Sequence, residues 1–294
     1  MGLLWLDHVV IRVRDRDAAL AWYRDAIGLM EMARQGEAVF LGCGGDEHFD
    51  LGLVPGGAGL DHFAFTVRDV AELEQVERRL SAGGVRTETR SGEPGVAAAI
   101  QFQLPSGHAM EVVVRQKEPG YIHPAQWQRP VLDTPTDVNH VTIQARDVQG
   151  LATFLHDVLG FRISDVYEPA PGVWGFAFLR VAENHHDVAI ASGDADAILH
   201  HVAFLTGGIG NLSRFADRLA RHDWPIEAGI GRHGPGGNLF LYVKDPTGNR
   251  VELGADMARV PDTDLPPRIW RGNFGQIFNV WTQALPPESF AQGT

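Results

Sequence analysis

The chain repeats itself. Four segments open alike: LDHVVIRVRD at 6–15, LDHFAFTVRD at 60–69, NHVTIQARD at 139–147 and HHVAFLT at 200–206. Each is a β-prone run carrying a histidine, and the first three reach an Asp that can cap a helix. Apolar residues at helical spacing follow: Ala19, Trp22, Tyr23 and Ala26; Val70, Leu73, Val76 and Leu80; Val148, Leu151, Leu155 and Val158; Leu212, Phe215 and Leu219. Gly28, Gly83, Gly84 and Gly160 stand where helix stops belong. Short β-like runs close each unit, so each reads as β-α-β-β-β. A unit this small cannot bury both faces of its sheet. Pairs of units should therefore close a curved sheet around a shared cavity.

The predicted fold class is α+β, with four βαβββ modules paired into two open-barrel domains at 1–116 and 137–256. Segment 117–136 is rich in Pro and turn residues and reads as a linker. The tail, 257–294, carries Trp270, Phe274, Phe278, Trp281 and Phe290 at partly helical spacing, interrupted by Gly272 and Gly275. Lys and Arg total 25 against 37 Asp and Glu, a net charge of −12, which argues against a nucleic-acid partner. One cysteine, Cys43, leaves no intrachain disulfide. No apolar run reaches the roughly 18 residues of a membrane span, and MGLLWLDHVVIRVRD lacks the marks of a signal peptide. The expectation is a cytoplasmic protein that engages small molecules rather than nucleic acid or membrane.

Strand alternation locates the chemistry. Val141 and Ile143 share a face, so His140 points to the other. Val202 and Phe204 likewise oppose His201, and Val251 and Leu253 oppose Glu252. If that second side lines the cavity, two histidines and a carboxylate converge. Coordination to a cation would remove the cost of burying the carboxylate. Two His and one carboxylate with open positions is the facial triad of non-haem Fe(II) oxygen chemistry. His200 rivals His201, but only one of the pair can face inward, and alignment with Asn139-His140-Val141 selects His201.

The N-terminal half has the same three positions, His8, His62 and Glu111. The halves differ around them. The C-terminal half adds His186 before DVAIA, His233 in GRHGPGG and Tyr242 in NLFLYV, where the N-terminal half has residues near Glu47 to Phe49, Gly92 and Gln101. The N-terminal set therefore reads as a retained structural duplicate.

With these residues in hand, the sequence resembles the type I extradiol dioxygenases of the vicinal-oxygen-chelate superfamily. The resemblance covers all four units and the tail. It is most specific in HDVAIA (186–191), LHHVAF (199–204), GRHG (231–234) and LYVKDPTGNRVEL (241–253). It implies the glyoxalase-type fold, His140, His201 and Glu252 as ligands of Fe(II), with Mn(II) an alternative, and cleavage of a catechol by dioxygen beside its diol. The same resemblance makes His186 the acid–base residue, Tyr242 a donor to a substrate oxygen and His233 its orienting partner. It also implies a homo-oligomer. The segment PPRIWRGNFG looks similar to the family's C-terminal region over the active-site mouth, where Arg268 matches a carboxylate-binding arginine. A second such arginine has no counterpart, because Ala228 holds its place. Phe178, Trp174 and Leu179 are expected to wall the ring pocket. A glyoxalase-like isomerase or transferase, or a non-catalytic binder on the same repeat, is the alternative reading.

Overall fold

The computed structural model describes residues 2–117 and 134–294. Most of the expected linker at 117–136 lies outside the described residues. The first unit runs β1 (Leu6–Val13), α1 (Arg16–Trp22), β2 (Met30–Gln35), β3 (Ala38–Gly42) and β4 (Leu51–Pro55). The second runs β5 (Gly59–Val67), α2 (Val70–Ala82), β6 (Thr87–Arg90), β7 (Val96–Gln103) and β8 (Ala109–Arg115). The third is β9 (Asp137–Ala145), α3 (Val148–Leu159), β10 (Arg162–Tyr167), β11 (Phe176–Arg180) and β12 (Val188–Ser192). The fourth is β13 (Ile198–Leu205), α4 (Ile209–Arg221), β14 (Ile226–Arg232), β15 (Leu239–Lys244) and β16 (Arg250–Ala255). The tail adds β17 (Arg268–Trp270) and α5 (Phe274–Phe278).

Local sequence explains the helix ends. Asp15, Asp69 and Asp147 each accept a hydrogen bond from the backbone N–H three residues on, capping α1, α2 and α3. Each cap contributes about 1 kcal/mol. Gly160 ends α3 in the left-handed region at φ 80°, a conformation that a side chain would resist. The helical run after α1 differs from expectation: Tyr23–Ile27 widens into a π-turn before Gly28. Val70, placed on the apolar stripe by its spacing, is exposed at the first turn of α2.

Two sheets result. The first has the order β2-β3-β4-β1-β5-β8-β7-β6, and the second β14-β15-β16-β13-β9-β12-β11-β10-β17. In each, the first strands of two units pair antiparallel at the centre, β1 with β5 and β9 with β13. Val9, Ile11, Phe63 and Phe65 in one half, with Val141, Ile143, Val202 and Phe204 in the other, belong to one continuous buried core beneath the helices. Each such residue contributes roughly 1.5–3 kcal/mol by leaving water. Alternation sends the neighbouring histidines to the other face of each sheet.

That alternation breaks at four places. Register shifts leave Asp7 and Asp61 in the first sheet, and Asn139 and His200 in the second, without a cross-strand partner. Each bulged residue directly precedes an inner-face histidine. A bulge re-aims a side chain, and here it turns the preceding residue onto the histidine's own face.

Candidate active site

Three donors meet on the inner face of the second sheet. Ala203 pairs with His140 on one side and with Glu252 on the other, so the central strand brings both residues beside His201. His140 Nε2 lies 3.2 Å from His201 Nε2. Glu252 Oε2 lies 3.4 Å from the first and 3.0 Å from the second. All three residues are buried.

Hydrogen-bond partners fix the tautomers. His140 Nδ1 donates to Asn139 Oδ1 at 2.8 Å. His200 Nε2 faces the Phe290 carbonyl at 3.0 Å, and a carbonyl can only accept. His200 Nδ1 is then an acceptor, and His201 Nδ1 donates to it at 2.6 Å. Both ligand candidates therefore present bare Nε2 lone pairs to each other and to a carboxylate oxygen. Three converging lone pairs with no proton between them fit a divalent cation. Burial alone would raise the Glu252 carboxyl; positive charge at His140 and His201, the place a bound cation would take, outweighs it and holds the group well below the usual range. Burial pushes His201 down to about 4, so it stays neutral. His200 departs from the expectation that only one of the pair faces inward. Its bulge brings it to the cavity as well, behind His201, as a support whose two ring nitrogens are already engaged.

A second group of side chains surrounds these donors. The His186 ring sits 4.3 Å from that of His140. Its Nδ1 is 2.9 Å from His185 Nδ1, and His185 Nε2 is 3.1 Å from Asp165 Oδ2. Across the 2.9 Å contact one Nδ1 donates and the other accepts. Burial, reinforced by His140 and His185, holds His186 well below the ordinary histidine value. His233 Nδ1 donates to the Phe278 carbonyl at 2.6 Å, so Tyr242 Oη donates to His233 Nε2 at 2.9 Å. Burial and then the Glu252 charge push the Tyr242 phenol well above 10, keeping it a donor. Asn238 Nδ2 donates to Glu252 Oε1 at 3.1 Å and fixes the carboxylate.

These groups line a cavity of about 380 Å³. Its far wall is apolar: Tyr167, Phe176, Phe178, Phe274, Phe278 and Phe290. Phe178 lines this cavity. Trp174 is not in the wall; it precedes β11 and packs against the core. Leu179 is in the core too, because it alternates with Phe178 on β11. Arg268 lies elsewhere, its guanidinium 4.1 Å over the Trp270 ring in a separate depression with Asp165 and Arg180. The described lining of the main cavity contains no lysine or arginine. Sequence reasoning missed His185, Asp165 and Asn238. The doublet His185-His186, parallel to His200-His201, was the available signal.

The model of the glyoxalase/bleomycin resistance protein/dioxygenase superfamily matches residues 5–112 and 137–253. The chain belongs to this superfamily. Within it the chain groups with the extradiol dioxygenases. It is 30% identical over 292 residues to a manganese-dependent 2,3-dihydroxybiphenyl 1,2-dioxygenase of Geobacillus genomosp. 3, covering 93% of this chain and 92% of that one. A metapyrocatechase of Pseudomonas sp. (strain CF600) is 30% identical over 263 residues, covering 86% of each. The anaerobic substrate complex of homoprotocatechuate 2,3-dioxygenase from Brevibacterium fuscum superposes with a TM-score of 0.91 at 25% identity, covering 100% of this chain and 93% of that one. In this extradiol dioxygenase no helix among the described residues is long and apolar enough to cross a membrane.

Proposed function

We propose that this extradiol dioxygenase opens the ring of a catechol bearing a neutral, apolar substituent, at a divalent cation held by His140, His201 and Glu252. The observation that carries the reading is a set of three lone-pair donors at the base of an aromatic cavity whose described lining holds no cationic side chain. A bound Fe(II), or Mn(II), supplies Lewis acidity toward the diol and an electron path to dioxygen.

The protein's own groups handle protons and position. His186 Nε2 accepts a hydroxyl proton from the entering diol and returns it to oxygen as the ring opens, a task suited to a residue neutral at working pH. Tyr242 offers its hydroxyl proton to a substrate oxygen, and His233 holds or releases that hydroxyl. Phe176 and Phe178 on β11, with Phe274 and Phe278 of α5, clamp the ring and exclude water. A substrate carboxylate in this cavity would meet Glu288 and no arginine. The tail thus serves as the wall that selects the substituent, and the N-terminal half as scaffold.

The test is oxygen uptake by anaerobically purified, iron-loaded protein against catechol, 2,3-dihydroxybiphenyl and 3,4-dihydroxyphenylacetate. Burying an added phenyl ring at about 1.5–3 kcal/mol predicts a kcat/KM advantage of roughly 10- to 150-fold for the biphenyl diol over the carboxylated catechol. Preference for the carboxylated compound would sink the substrate assignment. Oxygen uptake with none of the three would count against the ring-opening role of these residues.

A further inference from the structure

The N-terminal sheet repeats the donor geometry and then completes it. Ala64 pairs with both His8 and Glu111, as Ala203 does with His140 and Glu252. His8 Nε2 lies 3.4 Å from His62 Nε2. A fourth donor arrives from the loop between β6 and β7. The Glu93 carboxylate reaches His8 Nε2 at 3.1 Å with one oxygen and His62 Nε2 at 3.2 Å with the other. Glu111 Oε2 stands 3.9 Å from His62 Nε2, while its Oε1 accepts from Gln101 at 2.8 Å. The bulged residues again hold the outer nitrogens. His8 Nδ1 donates to Asp7 at 2.5 Å and His62 Nδ1 to Asp61 at 3.0 Å.

From this we infer that His8, His62, Glu93 and Glu111 form a second divalent-cation site, closed and structural. Four donors at bond lengths near 2.0–2.1 Å in a tetrahedron stand roughly 3.3 Å apart, which is the spacing among His8, His62 and Glu93. Acidic groups crowd the same place: Asp7, Asp61, Glu93 and Glu111 gather round the two imidazoles, with Arg115 bonded to Asp7, Arg12 3.7 Å from Asp61 and Arg90 within electrostatic reach of Glu111. Two protons on the Nε2 atoms would meet each other head-on across 3.4 Å. Glu93 Oε2, moreover, is buried and accepts no hydrogen bond, although it lies beside His8 Nε2. Atoms that approach without donor–acceptor alignment are aimed at a common centre.

The site is unsuited to turnover. Glu93 fills a position that the C-terminal set leaves open. Phe49 lies 4.4 Å from the His8 ring, where the other half places His186 on His140. Carboxylate partners on both imidazoles favour tight ligation over exchange. The sequence reading of this half as a bare duplicate overlooked Glu93, which has no counterpart among the C-terminal donors.

The experiment loads the full chain with MnCl2, removes free metal by gel filtration and counts manganese per chain by plasma mass spectrometry. Wild type is expected to hold two equivalents, Glu252→Ala one, and His62→Gln one. Glu93→Gln, a loop exchange that leaves the sheet intact, serves if His62→Gln fails to fold, and should weaken manganese retention at least tenfold. One equivalent in wild type that vanishes in Glu252→Ala overturns the N-terminal site and leaves the C-terminal centre standing. One equivalent that survives Glu252→Ala but is lost in His62→Gln upholds the N-terminal site and counts instead against the C-terminal centre.

Discussion

The two halves are built on one register and part company in what surrounds the donors. In both, a central alanine is flanked by a histidine and a glutamate, and a second histidine lies two residues away on the same strand. Opposite the glutamate stands Tyr242 in one half and Gln101 in the other. Against the first histidine stands His186 in one half and Phe49 in the other. The comparison teaches that one register can place the same donor set twice, while the side chains beside it are exchangeable one by one.

Mutations can break that comparison, and the largest effect comes first. Glu252→Ala should take oxygen uptake with a catechol to background, because the cation proposed to bind the diol would lose its anionic ligand. Glu111→Ala should show itself mainly as a lower melting temperature. A Glu111→Ala protein that lost oxygen uptake as completely would erase the distinction between the halves. His186→Phe copies Phe49 into the active half. Metal content should hold while kcat falls about 10²- to 10⁴-fold, the usual weight of a positioned acid–base group. Turnover at the wild-type rate would remove His186 from the mechanism.

Tyr242→Gln copies Gln101 in the same way. A hydrogen bond to a charged oxygen is worth about 1.5–3 kcal/mol, so single-turnover rates should fall roughly 10- to 150-fold. The smallest effect concerns the tail. Glu227 accepts from Arg250 at 2.7 Å and from Ser289 at 2.7 Å, and Arg250 in turn donates to the Ser289 and Gln292 carbonyls. Burial alone would raise Glu227, but Arg250 and Ser289 outweigh it and lower its pKa below the ordinary 4.5. A depressed carboxylate contributes fully above about pH 4.5, and its contribution is lost as pH falls through the folded value. Glu227→Gln should cost about 1 kcal/mol at pH 7 and flatten the acid limb of melting temperature against pH. An unchanged acid limb would show that this clamp does not hold the tail.

Much of this was legible in strand parity. His140, His201 and Glu252 each oppose a pair of buried apolar residues, and that alone put them on one face. Parity could not see the bulges, so His200 was assigned to the core side when it supports His201 from within the cavity. It also could not join Asp165 to His185, or Trp270 to Asp165, since those contacts depend on how the tail folds back. The apolar wall was only half readable for the same reason: β11 supplies Phe176 and Phe178, but Phe274, Phe278 and Phe290 come from a segment outside the repeat. Arg268 drew attention through resemblance, yet pairing of β17 with β10 turns it onto Trp270.

The four bulges carry a wider consequence. The dyads Asp7-His8, Asp61-His62, Asn139-His140 and His200-His201 hold their second members alike while varying the first among an anion, an amide and a neutral ring. The first position is thus a tuning point, where exchanging one side chain alters how strongly the imidazole gives its electrons without moving it. Deleting that residue would be another matter. The ladder would close into even pairing, and the imidazole would rotate to the opposite side of the sheet, into the oil.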